Sequence, residues 1–457
     1  MKLIRKDILS LALPILTEQI FVISMGMVNT MMAGHIGKEA VSAIGMVDSI
    51  NNIFIAFFSA LAVGGTVVVA QYVGRGNIKK ANAALKQALY AGFLLSFVIT
   101  IITWILREPL ISILYGQADP LVINNAYIYL GITLLTYPLI SIDLISNGIL
   151  RGAGDTKTPM KITIFMNFIN VILSYFFIYG IDVKNSHFHI YIPGMGIKGA
   201  ALGIAAARTT GAIIIIIVLL RGSRIIKLNK IFKFKFDREY LSSIFGIGIP
   251  ASVESLLFNA GKLITQIYIV SMGTISIASN SISGSIAGMI NIPGNALSIA
   301  ATAIVGQHMG RKKEKEAENS LRYILFFSAV CLTTLGLISI PLAKVLASLY
   351  TDNADIINLS AKIIRVNGIF IIFWPFSFVL PAGLKGAGDA KYTMVTAIIG
   401  MWIFRITLGY LLGINLHLGL LGVWLGMFID WIVRGALYYI RLNNGKWKNH
   451  SVIKSES

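Results

Sequence analysis

The chain has 457 residues, of which 56% are hydrophobic and only 13% charged, and it carries a formal net charge of +19. An ordinary soluble protein has about 25% charged residues, so this composition excludes one. The excess of Lys and Arg invites a nucleic-acid reading, but its placement along the chain argues for a membrane.

Apolar stretches predict twelve spans, at about 8–32, 43–73, 83–106, 121–147, 159–181, 196–221, 241–270, 275–306, 317–347, 354–383, 391–414 and 416–440. About 20 apolar residues suffice to cross ~30 Å of hydrocarbon as a helix. The runs are continuously apolar, not alternating, which excludes a β-barrel, and backbone groups in lipid must be satisfied within each segment. The expected fold class is an all-α polytopic membrane protein. MKLIRKD runs into span one without a small-residue cleavage site, so the reading there is an uncleaved first helix.

Basic residues collect on one side of this arrangement. Lys2, Arg5 and Lys6 precede span one, Arg75, Lys79, Lys80 and Lys86 follow span two, and Arg151, Lys157 and Lys161 follow span four. The 221–238 linker, the 311–322 loop, Lys385, Lys391 and the 441–454 tail continue the pattern. The opposite loops hold only Lys38, Arg107, Lys184, Lys198 and Lys344. The positive-inside rule then puts both termini in the cytoplasm. Basic loops of this kind meet lipid headgroups, with no nucleic-acid partner expected.

The sequence is one hydrophobic half written twice. Pro14 and Glu18 match Pro250 and Glu254, Gly37 matches Gly273, and Gln71, Gly74 and Arg75 match Gln307, Gly310 and Arg311, all at an offset of 236. RGAGDTKTPM (151–160) returns as KGAGDAKYTM (385–394) at an offset of 234. The expected organisation is a six-span lobe over 1–222, a basic cytoplasmic linker over 223–240, a second six-span lobe over 241–440 and a cytoplasmic tail over 441–457. An even span count relates the lobes by an axis along the membrane normal, as in transporters built around a midplane site. The linker alternates Lys with Ile and Phe, and either lies on the inner membrane surface or is a solvated tether. In the repeated GAGD, Gly152, Gly154, Gly386 and Gly388 supply turns, and Asp155 and Asp389 are placed to accept backbone N–H groups of the next helix.

Ionisable groups at membrane depth are costly and usually face a cavity or a partner. Glu18 lies about ten residues into span one and Glu254 about thirteen into span seven, which puts both near mid-membrane at ~1.5 Å per residue, and they are candidate sites for a coupling H⁺ or Na⁺. On span seven Ser255, Asn259, Lys262 and Gln266 fall within an arc of about 60°, with Glu254 at its edge. Lys262 either competes with a coupling cation, answers an anionic substrate or snorkels outward. Asn29 shares a face with Glu18. Asp48 with Asn51 and Asn52, Asp143 with Asn147, and Asn291 with Asn295 form polar clusters that bond helices together or touch substrate. Pro14, Pro250, Pro293, Pro375 and Pro381 are expected to kink helices. Cys331 is the single cysteine, and the HxH of His187 and His189 is too small a set to imply a metal site. No phosphate-binding loop, zinc-protease motif or nucleophile elbow occurs, so neither an enzyme nor a cofactor is expected.

The whole chain resembles the multidrug and toxic compound extrusion (MATE) family, through MVNTMMAGHIG (27–37), VVVAQYVGRGN (67–77), LRGAGDTKTPM (150–160), GIPASVE (248–254), AIVGQHMGR (303–311), LKGAGDAKYTM (384–394), MWIFRITLGYLLG (401–413) and the ending at 419–447. The resemblance implies two pseudosymmetric six-helix lobes around a central cleft. It also implies lobe rocking that exports organic cations in exchange for H⁺ or Na⁺. It maps the family's helix-seven glutamate to Glu254 and its helix-eleven arginine to Arg405, closer to the NorM-like than the DinF-like branch. Asn29 stands where many relatives carry aspartate. Asn170 is followed by Ser174 where the DinF-like branch has an acid, and 367–380 holds none. Coupling is therefore expected at Glu254, with Glu18 as a substitute. Asn29, Asp48, Asp143, Asn170, Asn259, Lys262, Asn291 and Arg405 are the candidate cavity residues of a monomer that contacts its organic-cation substrate and membrane lipids. The alternative is a lipid-linked precursor flippase, with Lys262 and Arg405 holding phosphate.

Overall fold

The computed structural model describes residues 2–116, 118–185, 188–229, 235–450 and 452–453. Ten of its helices are long and apolar enough to cross a membrane, and two pairs bent by 51° complete twelve spans. In the first lobe spans one to three are Lys2–Gly34, Lys38–Gly74 and Ile78–Ile105. Span four is the bent pair Pro120–Leu134 and Tyr137–Gly152, and Lys157–Tyr179 and Gly196–Arg221 are spans five and six. In the second lobe span seven is Arg238–Ser271, and span eight is the bent pair Thr274–Ile290 and Ile292–Gly310. Spans nine to twelve are Glu314–Ser348, Ala354–Ala387, Ala390–Asn415 and Gly419–Asn443.

Both sharp bends have a proline in the first turn after the break, Pro138 in span four and Pro293 in span eight. Proline lacks the N–H that a first turn leaves unpaired, so it starts a new axis at little cost. Pro293 was an expected kink and Pro138 was not. Pro14 and Pro250 lie inside the continuous helices of spans one and seven. Pro375 follows a 3₁₀ turn at Ile371–Phe373, and Pro381 lies inside the helix beyond it. Span eleven alternates α-helix with π-helix at Ile399–Ile406 and Leu411–Asn415.

One element departs from the all-helical expectation. Gly180–Asn185 and Phe188–Pro193 pair as an antiparallel hairpin between spans five and six. His187 of the HxH lies outside the described residues. Among the described residues no group of His, Cys, Asp and Glu is placed to hold a metal.

The lobes meet through the halves of their helices that carry the basic loops. Span two packs along span seven and the Ile292–Gly310 segment of span eight. A Cβ on Gly74 would fall on the Gln307 backbone, and one on Gly310 on the Gln71 backbone, so glycine is needed at both ends of this seam. The outer segments Pro120–Leu134 and Thr274–Ile290 make their extensive contacts inside their own lobes. The structure is thus closed at its basic end.

Where it is described, the linker is no solvated tether but packs on the first lobe. Ile226 and Leu228 are buried in the core of the first lobe, and Gln87 on span three donates to the Lys235 carbonyl (2.6 Å) and accepts from the Asp237 N–H (3.2 Å). The tail also docks: Ile453 joins the same core, and the Val452 N–H donates to Gln71 Oε1 (3.2 Å).

Candidate functional site

Each span-one and span-seven glutamate is paired with the basic residue that precedes GAGD in its own lobe. Arg151 reaches Glu18 at 2.5 Å, and Lys385 reaches Glu254 at 2.8 Å. Threonines complete both sites, Thr163 donating to Glu18 at 3.0 Å and Thr393 to Glu254 at 3.5 Å. Thr163 is six residues into span five and Thr393 three residues into span eleven, about 9 and 5 Å from their starts. The carboxylates therefore sit towards the basic ends of those spans and not at mid-membrane as expected. Spans one and seven are 33 and 34 residues long, so counting from their first residue overstates depth. The two sites differ in access. The Glu18 side chain is 4% exposed and that of Glu254 17%.

The residue after each base belongs to the seam between lobes. Gln71 on span two donates to the Gly386 carbonyl (3.3 Å), and Gln307 on span eight donates to the Gly152 carbonyl (2.9 Å). Each lobe thus offers a glutamine to the other lobe's GAGD turn. Glycine at positive φ makes these turns, Gly154 at 92° and Gly388 at 105°. Asp155 accepts from the Thr158 N–H as expected of a helix start. Asp389 makes no cap and instead holds Arg441 at 2.7 Å, anchoring the end of span twelve.

Above the Glu254 pair, the second lobe forms an open cavity of about 440 Å³ between spans seven, eight, ten, eleven and twelve. Phe258, one turn beyond Glu254, lines it, and Glu254 does not. Lys262, Asn291 and Arg405 line it as expected, Arg405 from a π-helical segment of the kind common at functional sites. Gln266 and Asn295 join them. Asn259 instead donates to the Ser255 carbonyl within its own helix (2.8 Å). Lys262 Nζ and the Arg405 and Arg434 guanidinium carbons lie 5.2, 5.7 and 5.4 Å from the Phe258 ring centroid. Such positions are favourable cation–π contacts. Arg434 also binds Asp430 through two hydrogen bonds, at 2.6 and 3.0 Å.

The remaining candidates belong to the first lobe and not to this cavity. Asn170 donates to Asn29 (3.4 Å) and accepts from Ser174 (2.8 Å), a chain of neutral side chains. Asn51 reaches Asp48 at 3.5 Å and accepts from Tyr137 at 2.8 Å. One buried oxygen of Asp143 has no hydrogen-bond partner.

Comparison with known proteins decides the family. The MatE family model matches residues 14–176 and again 250–411, two blocks that begin at the offset of the repeat. The chain belongs to the MatE family. A probable multidrug resistance protein NorM of Thermotoga maritima is 27% identical over 99% of this chain and 95% of its own length. An uncharacterized transporter, YisQ of Bacillus subtilis, is 28% identical over 96% and 94% of the two chains. An outward-facing multidrug resistance MATE family transporter of the MOP superfamily superposes with a TM-score of 0.87, at 21% identity and over 96% of each chain. Membership makes this a multi-pass membrane protein of a multidrug efflux family, and its relatives are transporters rather than enzymes.

The sequence reading missed how residues of the two repeats work in pairs. Arg151 and Lys385 were read only as basic residues of the loops, and Gln71 and Gln307 only as marks of the repeat. Their signal was present: the same polar type recurs in both halves, next to glycines that permit backbone contact. Asp430 with Arg434 left no such trace, because its counterpart segment in span six carries Ala207 and Gly211.

Proposed function

We propose that this transporter exports amphipathic compounds across the inner membrane by alternating access, with both termini cytoplasmic and inward movement of a proton coupled through Glu254. One observation carries the reading. The base that neutralises each glutamate is covalently next to the carbonyl that ties the lobes together, Lys385 to Gly386 and Arg151 to Gly152. Protonating Glu254 ends its ion pair, frees Lys385 to move and loosens the Gln71 bond one peptide away. The basic end then opens and the cavity turns to the cytoplasm. Loss of the proton inside restores the pair and closes the seam. A proton suits this step better than Na⁺, because Lys385 Nζ at 2.8 Å already holds the position a cation would take. Glu18 is a second, less accessible site of the same design.

An ion drives transport only through different affinities for the two states, so the test reads the states directly. Spin labels on cysteines at Lys79 and Lys315, with Cys331→Ser, report the distance between the lobes' basic ends. Lowering the pH is expected to lengthen that distance in the parent, and Glu254→Gln to give the long distance at every pH. Na⁺ at constant pH is expected to leave it unchanged. A distance that ignores both pH and Glu254→Gln would sink coupling at this residue. A response to Na⁺ alone would replace the proton.

A further inference from the structure

We infer that the cavity of the second lobe receives an organic anion, an aromatic body whose carboxylate or similar head lies between Lys262 and Arg405. Its role as a transport substrate rests on the reading above, whereas its chemistry rests on the cavity itself. At about 440 Å³ the space is that of a drug-sized molecule. Lys262 and Arg405 both line it, and no Asp or Glu does. Among the described residues neither cation has a carboxylate at ion-pair distance. Asp430 has both its oxygens taken by Arg434. Around the single ring of Phe258 there are thus three cations to one carboxylate, the charge of nearby Glu254 being matched by Lys385. Charges left unneutralised at low dielectric are costly, so an entering cation would worsen the repulsion and an anion would relieve it.

The walls supply the rest of the recognition. Trp374 stacks on Phe378 with centroids 4.6 Å apart, Phe378 meets Trp431 edge-on at 6.3 Å, and all three line the cavity. The indole N–H of Trp431 is buried without a hydrogen-bond partner, a donor left for a ligand oxygen. This charge is not something a lobe needs in order to fold. In the first lobe the positions equivalent to Lys262 and Arg405 are Gly26 and Val171, while the equivalent of Asp48 in the second is Gly284, on the cavity wall.

The test is equilibrium binding of pyrenebutyrate, and of pyrenemethylammonium as its cationic counterpart, to the full chain in phosphatidylcholine nanodiscs. The carboxylate is expected to bind about tenfold or more tighter than the ammonium, less tightly as salt rises. Lys262→Gln is expected to weaken it about fivefold or more and Lys262→Arg to restore most of the loss. Arg405→Gln is expected to act like Lys262→Gln. Should that variant fail to fold, the lysine pair decides. Ammonium binding as tight as carboxylate binding, or indifference to Lys262→Gln, would overturn the inference. A further arm exchanges phosphatidylcholine for phosphatidylglycerol. Unchanged binding supports a free organic anion, and loss of binding reassigns the site to a lipid headgroup. Carboxylate binding by a protein whose basic end ignores pH would leave this inference standing and remove the coupling scheme, and the converse would remove this inference alone.

Discussion

The two lobes share a repeat but arrange their charge in opposite ways. The first holds Asp48 and Asp143 where the second has Gly284 and Ser377, and the second holds Lys262 and Arg405 where the first has Gly26 and Val171. Towards the basic end the lobes agree again, each with a glutamate, a base, a GAGD turn and a glutamine offered across the seam. The likeness is confined to the parts that must open and close together. The outer halves, free of that constraint, have diverged into a hydrogen-bonded chain of Asp48, Asn51 and Tyr137 in one and an open cationic cavity around Phe258 in the other.

The largest effect expected from this contrast is on stability. Asp430→Asn leaves Arg434 beside two other cations, and breaking a buried pair costs about 3–5 kcal/mol. Asp48→Asn removes a carboxylate whose hydrogen bond to Asn51 is 3.5 Å long and on which Arg208 acts without a contact ion pair, and should cost less, about 1 kcal/mol. Thermal unfolding in detergent compares them. Equal losses would break the contrast between the lobes.

A smaller and symmetrical effect is expected at the seam. Gly74→Val and Gly310→Val each drive a side chain into the other lobe's backbone, an overpacking of about 1–3 kcal/mol against the closed form. Both should lengthen the label distance between Lys79 and Lys315 by similar amounts. A change for one alone would mean that the two ends of the seam are not equivalent.

These divisions also set what could be read in the sequence. Spans, lobes and the turn glycines follow from apolar runs and from a repeat at fixed offset, because membrane helices and tight turns are dictated locally. The bend at Pro138 was missed because one proline signals a break or a tolerated kink alike, depending on what packs around it. Glu18 and Glu254 were found as rare acids in apolar helices, but their partners lie 133 and 131 residues away, joined only by folding. The cavity was half visible: Lys262 and Arg405 stood out as charges, whereas its aromatic walls look like any other apolar helix face.

The finest distinction lies within the seam itself. Gln71 does two things, donating to the Gly386 carbonyl and accepting from the Val452 N–H of the tail, while Arg75 beside it reaches the Ile453 carbonyl at 3.4 Å. Among the described residues Gln307 donates to the Gly152 carbonyl and has no tail segment against it. A hydrogen bond of this kind is worth about 1 kcal/mol, or roughly fivefold in the balance between closed and open forms. Gln307→Ala should shift that balance by one such step and Gln71→Ala by more, because its loss also frees the tail. Removing residues 450–457 should abolish the difference between the two alanine variants in the label distances. If Gln71→Ala still exceeds Gln307→Ala without the tail, the asymmetry belongs to the lobes and not to the strap laid across them.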